Sequence, residues 1–320
     1  MAATTISNMI VPVIQADYMA AVFPSLSPLL GSGVVEIDPN PRFRDQGGNL
    51  FDVPQYLEFS TASVAQPTGD SEGTKNPLAT SKDTGVICRR ETGLASLDQS
   101  SLASGSNISA EIQRQAPIYW AKDTAKTLYN ALSGLFATAL AGANFTLAVP
   151  DTFKPSAVKD IGAMGAVGDT WPTFTIWLMR STQFFQAINE GLVNYVNAGA
   201  FGERLLQTGQ VPTILGKQVI VDDNIADVDG STYLCKPGAL YLAFQQNFAV
   251  EYQRDASIGG GTDEYWLRAH YMPHPRGGVY GGAASPTNTT LATGASWSAA
   301  SALSTDPKLA RVVKVKFNNA

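Results

Sequence analysis

Between Val211 and Tyr280 the chain strings short apolar, β-prone runs together with turn residues, and a stretch of that kind is constrained to fold as successive strands. VPTILGKQVIVDD places a turn at Gly216 ahead of a buried strand over Gln218–Val221, which Asp222 and Asp223 close. YLCKPGALYLAF reads as a second strand, interrupted by a turn at Pro237–Gly238. VEYQRD alternates like a strand, and the glycine run Gly259–Gly261 returns the chain through EYWLRAHY. Nothing in this stretch is arranged to run a reaction.

The rest of the chain has a different character in each part. In the first 46 residues, Ile10, Val13, Ile14, Tyr18 and Ala21 or Val22 fall at helical spacing over Asn8–Val22. Pro12 sits in the first turn and Pro24 and Pro28 end it; GSGVVEID follows as a short strand closed by Pro39–Pro41. A lone amphipathic helix cannot hold itself together in water, so this arm must lie on its own body or on another subunit. Gly47–Arg90 reads as a long hairpin, alternating at both ends, with a polar tip over Ser63–Ser81 expected to order only against neighbours.

Ala110–Ala141 is the clearest helix, with Pro117 expected in its first turn. Its stripe runs Trp120, Thr124, Leu128, Leu132, Leu135 or Phe136, and Ala139 or Leu140. Gly134 should weaken its middle by about 1 kcal/mol relative to alanine, and Gly142 is the expected C-cap. Thr170–Asn197 holds a buried strand, TFTIWLM, running straight into a helix with Phe184, Phe185, Ile188 and Leu192. A last strand covers Arg311–Phe317. Arm, hairpin, long helix, mixed segment and strands, in that order, predict an α+β fold with long non-local connections.

Composition narrows the function classes. Charged residues make up 15% of the chain, well under the usual quarter, as suits a protein that hides surface against neighbours. Net charge is −5 and the isoelectric point about 5.1, the wrong sign for a nucleic-acid binder. Arg311, Lys314 and Lys316 are the one cationic cluster, read here as the solvated face of the last strand. Cys88 and Cys235 are far apart and read as buried apolar residues in a reducing compartment. The N-terminus lacks a cationic lead and an apolar core, and no run approaches the ~18 apolar residues that cross a bilayer. The expectation is a chain kept in the cytosol or in something assembled there.

The candidate chemistry dissolves on inspection. His270 and His274 have the spacing of a helical metal pair, but Pro273 and Pro275 exclude a helix there. Asp222 and Asp223 are adjacent, so on a strand they point to opposite faces and serve the turn. Gly259–Gly261 is followed by neither a Lys-Ser/Thr pair nor a helix, so it is a hairpin turn and not a phosphate loop. No nucleophile elbow or zinc-protease motif occurs, and neither cysteine has a histidine partner. The expectation is a non-enzyme with no catalytic, cofactor-binding or metal-binding residues.

Six segments stand in a telling order: GGNLFDVP, ALSGLFA, ILGKQVIVDD, PGALYL, VEYQRD and SPTNTTLATGASW. In sequence and order they resemble the tailed-bacteriophage major capsid proteins of the Hong Kong 97 fold, over nearly the whole chain. The resemblance implies an N-terminal arm (1–46), an extended E-loop hairpin (47–90), a peripheral domain with a spine helix (91–146), an axial domain (147–229) and return strands (230–320). It implies a coat protein whose hexamers and pentamers form an icosahedral head. That head would enclose double-stranded DNA without binding it specifically. Partners would include a portal and scaffolding or cement proteins, with assembly in the host cytoplasm. An encapsulin-like nanocompartment shares the fold and is the alternative; a hydrolase or lyase is the reading from another class. Some capsids of this fold crosslink Lys to Asn, and Lys75–Asn76 at the hairpin tip invites the analogy, but adjacent residues cannot pair with each other.

Overall fold

The computed structural model describes residues 19, 21–39, 41, 47–56, 78, 80–105, 108–142, 145–149, 168–197, 210–225, 230–258 and 260–317. Three sheets surround one long helix. The first has the order β1 (Val35–Asp38), β11 (Leu240–Asp255), β12 (Thr262–Pro275), β4 (Cys88–Leu97). The second is seven-stranded: β5 (Thr146–Val149), β15 (Val312–Phe317), β10 (Ser231–Cys235), β6 (Ile176–Met179), β9 (Lys217–Val221), β8 (Gln210–Ile214), β7 (Asn194–Asn197). The third joins β14 (Trp297–Ala299), β13 (Gly278–Tyr280), β3 (Thr80–Val86) and β2 (Leu50–Tyr56).

The continuous apolar runs become strands covered on both faces, as such runs require. Alternate residues of β6 and β10 divide between two cores. Ile176, Leu178, Tyr233 and Cys235 face the main core, while Trp177, Met179 and Leu234 join a second cluster with Val313, Val315 and Phe317. The Pro237–Gly238 turn, with Gly238 at φ 64°, carries the chain out of the second sheet into the first. The segments expected as separate strands after it form one continuous β11, with register shifts between Phe244 and Ala249. Pro273 and Pro275 are accommodated because pairing of β12 with β4 ends at Tyr271–Cys88, leaving them a ladder partner on one side only.

The long helix spans Ile108–Ala137; call α1 the short helix before it, Asp98–Ser104, and the long one α2. Two boundary expectations fail. Pro117 is inside α2, not in its first turn, because the preceding turns stay helical, supported by the Glu111–Arg114 pair and the Gln115–Glu111 hydrogen bond. The helix also stops before Gly142. Leu140 N–H reaches back to Leu135 O, and Gly142 instead turns the chain by accepting from the N–H of Phe145 and Thr146. The stripe holds: Trp120, Thr124, Leu128, Leu132, Leu135, Phe136 and Leu140 are all buried. Ala116, Ala121, Ala125, Thr127, Tyr129 and Ala131 are buried too, so α2 is wrapped on several faces, with Lys122 and Lys126 on the exposed remainder.

Helix α3, Ser181–Asn189, follows directly on β6, as expected. It buries Gln183 and Ala187 and packs Phe184 on the second cluster, while Phe185 and Ile188 face outward. The described end of the arm lies on its own body. Phe23 packs against Phe244 and Phe248, with Met19, Leu29 and Leu30 buried beside it. Most of the expected helix over Asn8–Val22 lies outside the described residues, as does nearly all of the hairpin tip, Lys75 and Asn76 included.

Candidate functional site

Among the described residues no side-chain constellation dominates; the distinctive features are a hairpin, a helix latch and outward-facing apolar side chains. The hairpin pairs β2 with β3 from Leu50–Val86 out to Tyr56–Thr80. At its base Asp52 accepts from the Thr84 hydroxyl at 2.5 Å and from Lys82 at 2.9 Å, and these contacts hold its carboxyl below the usual range, the Thr84 bond first. Beyond Ile87 the chain leaves this sheet and enters β4, so the expected closing arm of the hairpin, SKDTGVICRR, is two strands in two sheets.

The latch joins two segments far apart in sequence. Helix α4, Asn288–Ala292, and the turn at Gly294–Ser296 lie across α2 at Gly134. A Cβ at Gly134 would stand 2.0 Å from Leu291 O and 2.8 Å from Trp297 Nε1. The Trp297 indole donates to that same carbonyl at 2.8 Å. Gly294 is matched in turn to Thr138, whose Oγ1 would be 2.2 Å from a Cβ there. Gly134 therefore permits a backbone-to-backbone approach. Thr287 caps α4, its hydroxyl accepting from Thr290 N–H.

Asp222 and Asp223 diverge as expected. Asp222 is buried, accepting from Asn224 N–H and Nδ2 and from the Tyr129 hydroxyl of α2 at 3.2 Å. Burial first, then the Asp222 charge, push the Tyr129 phenol well above its usual range. Asp223 is exposed and accepts from Ser181 N–H at 2.9 Å, tying β9 to the start of α3; that bond lowers its pKa. The turn before β9 has two residues, and both Leu215 (φ 52°) and Gly216 (φ 73°) are left-handed. A leucine there is strained. Sequence reading found the glycine and missed the leucine. Lys217 is drawn inward, donating to Trp171 O and Phe174 O, and burial lowers its pKa.

His270 and His274 lie on β12, four residues and so about 13 Å apart, too far to share an ion. His270 has its pKa lowered by burial and then by Arg89 and Arg268. His274 is buried against Asp83, at 3.5 Å, and Asp83 also accepts from Gly277 N–H. Gly260 (φ 80°) and Gly261 (φ 124°) shape the β11–β12 connection beside the Arg254–Asp98 ion pair; Gly259 is outside the described residues. Of the C-terminal cations, Arg311 and Lys316 are exposed as expected, and Lys314 is the exception. Lys314 lies where β15 is covered on both faces and is buried, its ammonium 5.8 Å from the Tyr233 ring. Cys88 is buried, its thiol pushed up to about 12 by desolvation, and Cys235 is raised for the same reason.

Apolar side chains face outward in separate places. One end of the long first sheet exposes Leu97, Tyr252 and Ile258, with Leu102 of α1 at 83% exposure. Phe185, at 61%, and Ile188 do so on α3, and Leu50 and Leu78 at the hairpin.

Comparison with known proteins gives these features a context. The chain is 28% identical over 340 residues to the major capsid protein of Bacillus phage SPP1, covering 99% of this chain and 98% of that protein. In fold it is similar to the capsid of cyanophage Pam1 (TM-score 0.60, 13% identity, 92% and 93% of the two chains). It is also similar to the capsid of Ralstonia phage GP4 (TM-score 0.61, 12% identity, 90% and 88%). The α+β arrangement is thus the Hong Kong 97-like capsid fold, and the matches are phage capsids, not encapsulins. A family model described as major capsid protein 13-like matches residues 59–308, and the chain belongs to that Gp13-like family of tailed-phage major capsid proteins, which form the head shell.

Proposed function

We propose that the chain builds its shell through many modest contacts, enclosing double-stranded DNA by confinement, and that it has no catalytic role. The observation that carries this is the scatter of exposed apolar side chains over the far end of the long sheet, α3 and the hairpin. Each patch is small, and closed symmetric assemblies gain avidity by summing such contacts. The helix α2 is the rigid bar, about 45 Å long for its 30 residues, to which the three sheets are tied.

In this reading the hairpin reaches over a neighbouring copy, and the segment holding β6 to β9 and α3 is the axial domain, meeting its equivalents in rings of five and six. The segment 91–146 is peripheral, with 230–320 returning to both. A portal and scaffolding or cement proteins would act on the shell, and assembly would take place in the host cytoplasm. The net charge of −5 supports contents held without tight pairing.

Light scattering of purified subunits tests the contact model. Phe185→Ser on α3 and Leu102→Ser on α1 should each raise the subunit concentration needed for assembly while leaving the subunit's urea midpoint unchanged. Assembly at the wild-type concentration by both variants would refute it.

A further inference from the structure

The two-residue turn Leu215–Gly216 between β8 and β9 breaks a local rule with no gain inside the subunit. Ile214 pairs with Lys217 across it, and both central residues have positive φ, 52° and 73°. A turn of that type favours Asn-Gly, because asparagine tolerates the left-handed region and leucine does not. What leucine offers instead is an apolar side chain, and the subunit makes no use of it. Leu215 is 49% exposed and belongs to none of the apolar clusters among the described residues. The tip stands clear of the body: a Cβ at Gly216 would have no atom within 4 Å beyond its adjoining residues. Strain kept where the fold gains nothing points to a contact made outside the subunit.

A groove suited to such a tip lies on β9 itself. It has a volume of about 610 Å³ and is formed by residues 25–32 of the arm and Gln218–Val221. No charged side chain lines it; the arm contributes Leu26 and Pro28, and β9 contributes Val219 and Val221. The strand edge there is open. Pairing of β8 with β9 ends at Thr213–Gln218, and Pro212 has no N–H with which to continue the ladder. Gln218 N–H donates to Thr175 O and Asp222 N–H to Met179 O, both on the β6 side. By alternation the main-chain groups of Val219 and Val221 face the other way. Among the described residues no strand pairs with Val221 on that side. The groove therefore offers an uncharged lining and free main-chain groups, the complement of an exposed leucine on a peptide turn.

We propose that Leu215 of one copy seats in this groove of a second copy. The inference rests on the reading above, that many modest contacts hold the shell, and names one of them. Each copy carries both the leucine and the groove, so the contact repeats from copy to copy in a closed assembly. The three more exposed apolar side chains fit the groove less well. Leu102 and Phe185 have their main chain committed to helices, and Ile258 O already accepts from Gly261 N–H, so none has a free turn to meet the open edge of β9.

The test combines an electron cryomicroscopy map of assembled shells with assembly titrations of variants. The map should place Leu215 of one copy within about 4 Å of Leu26 or Val219 of another. Leu215→Asn should move two readouts in opposite directions: its subunits melt at or above the wild-type urea midpoint, yet need roughly tenfold more protein to assemble. Leu215→Met, which keeps an apolar side chain, should assemble near the wild-type concentration. Leu26→Glu, which puts a charge in the groove, should raise the threshold as Leu215→Asn does. A map with Leu215 in solvent or against any other surface would overturn this inference alone, as would assembly of either Leu215→Asn or Leu26→Glu at the wild-type concentration. Failure of the wild-type protein to form shells at all would instead refute the reading beneath it.

Discussion

Replacing Gly134 by alanine sets two physical effects against each other. In an isolated helix the change is favourable by about 1 kcal/mol. In the folded chain the new methyl would lie 2.0 Å from Leu291 O and 2.9 Å from Trp297 Cδ1. An ordinary C···O contact is about 3.3 Å or longer, so the α4 backbone must retreat by more than about 1 Å. Overpacking of this kind costs about 1–3 kcal/mol. The retreat also breaks the Trp297–Leu291 hydrogen bond in a buried setting, adding about 1–3 kcal/mol. Net of the helix gain, Gly134→Ala should destabilise the subunit by about 1–5 kcal/mol. Urea melts of soluble subunits would show this as a midpoint lowered by about 0.3–1.7 M, taking a slope of about 3 kcal/mol/M. A peptide covering 108–137 with the same change should become more helical. A subunit midpoint equal to or above wild type would refute the latch.

Leu215→Asn should raise subunit stability by about 1 kcal/mol by relieving a left-handed leucine, read in the same melts; a lower midpoint would contradict it. Leu128→Asp places an unpaired carboxylate in the core at a cost of several kcal/mol and should abolish soluble folded protein. Asn130→Asp, whose amide bonds only to Lys126 O, should be tolerated. Because Asp223 has a lowered pKa in the fold, its stabilisation is present above about pH 4 and lost as pH falls through the folded value. Asp223→Ala should therefore lower the melting temperature near neutrality, and its gap from wild type should close below about pH 4. Subunits should show no sub-micromolar binding to labelled duplex at about 150 mM salt; tight binding with a log–log salt slope of several units would make Lys316 and its neighbours a DNA contact.

Local physics made some of this structure legible. Apolar runs such as TFTIWLM and QVIV gave β6 and β9, and the α2 stripe gave its buried face, because burial on one or two faces leaves a period in the sequence. The motifs ALSGLFA and SPTNTTLATGASW stood out without a reason. The structure supplies one: they are the two halves of the latch at Gly134, a contact across more than a hundred and fifty residues that no local period records. Lys314 was misread because strand alternation does not reveal that β15 is covered on both faces at that position. The residues Phe184, Phe185 and Ile188 are alike in sequence, and only the structure separates the packed Phe184 from the outward Phe185 and Ile188. Apolar residues that face outward look the same in sequence as apolar residues that pack in the core.

The central claim is that this chain assembles with copies of itself into a closed shell. Electron micrographs of purified protein, taken across a concentration series, test it most directly. The account predicts closed, uniform icosahedral particles above a threshold concentration. Dispersed monomers or small fixed oligomers throughout the series, from protein that is folded by circular dichroism, would contradict it.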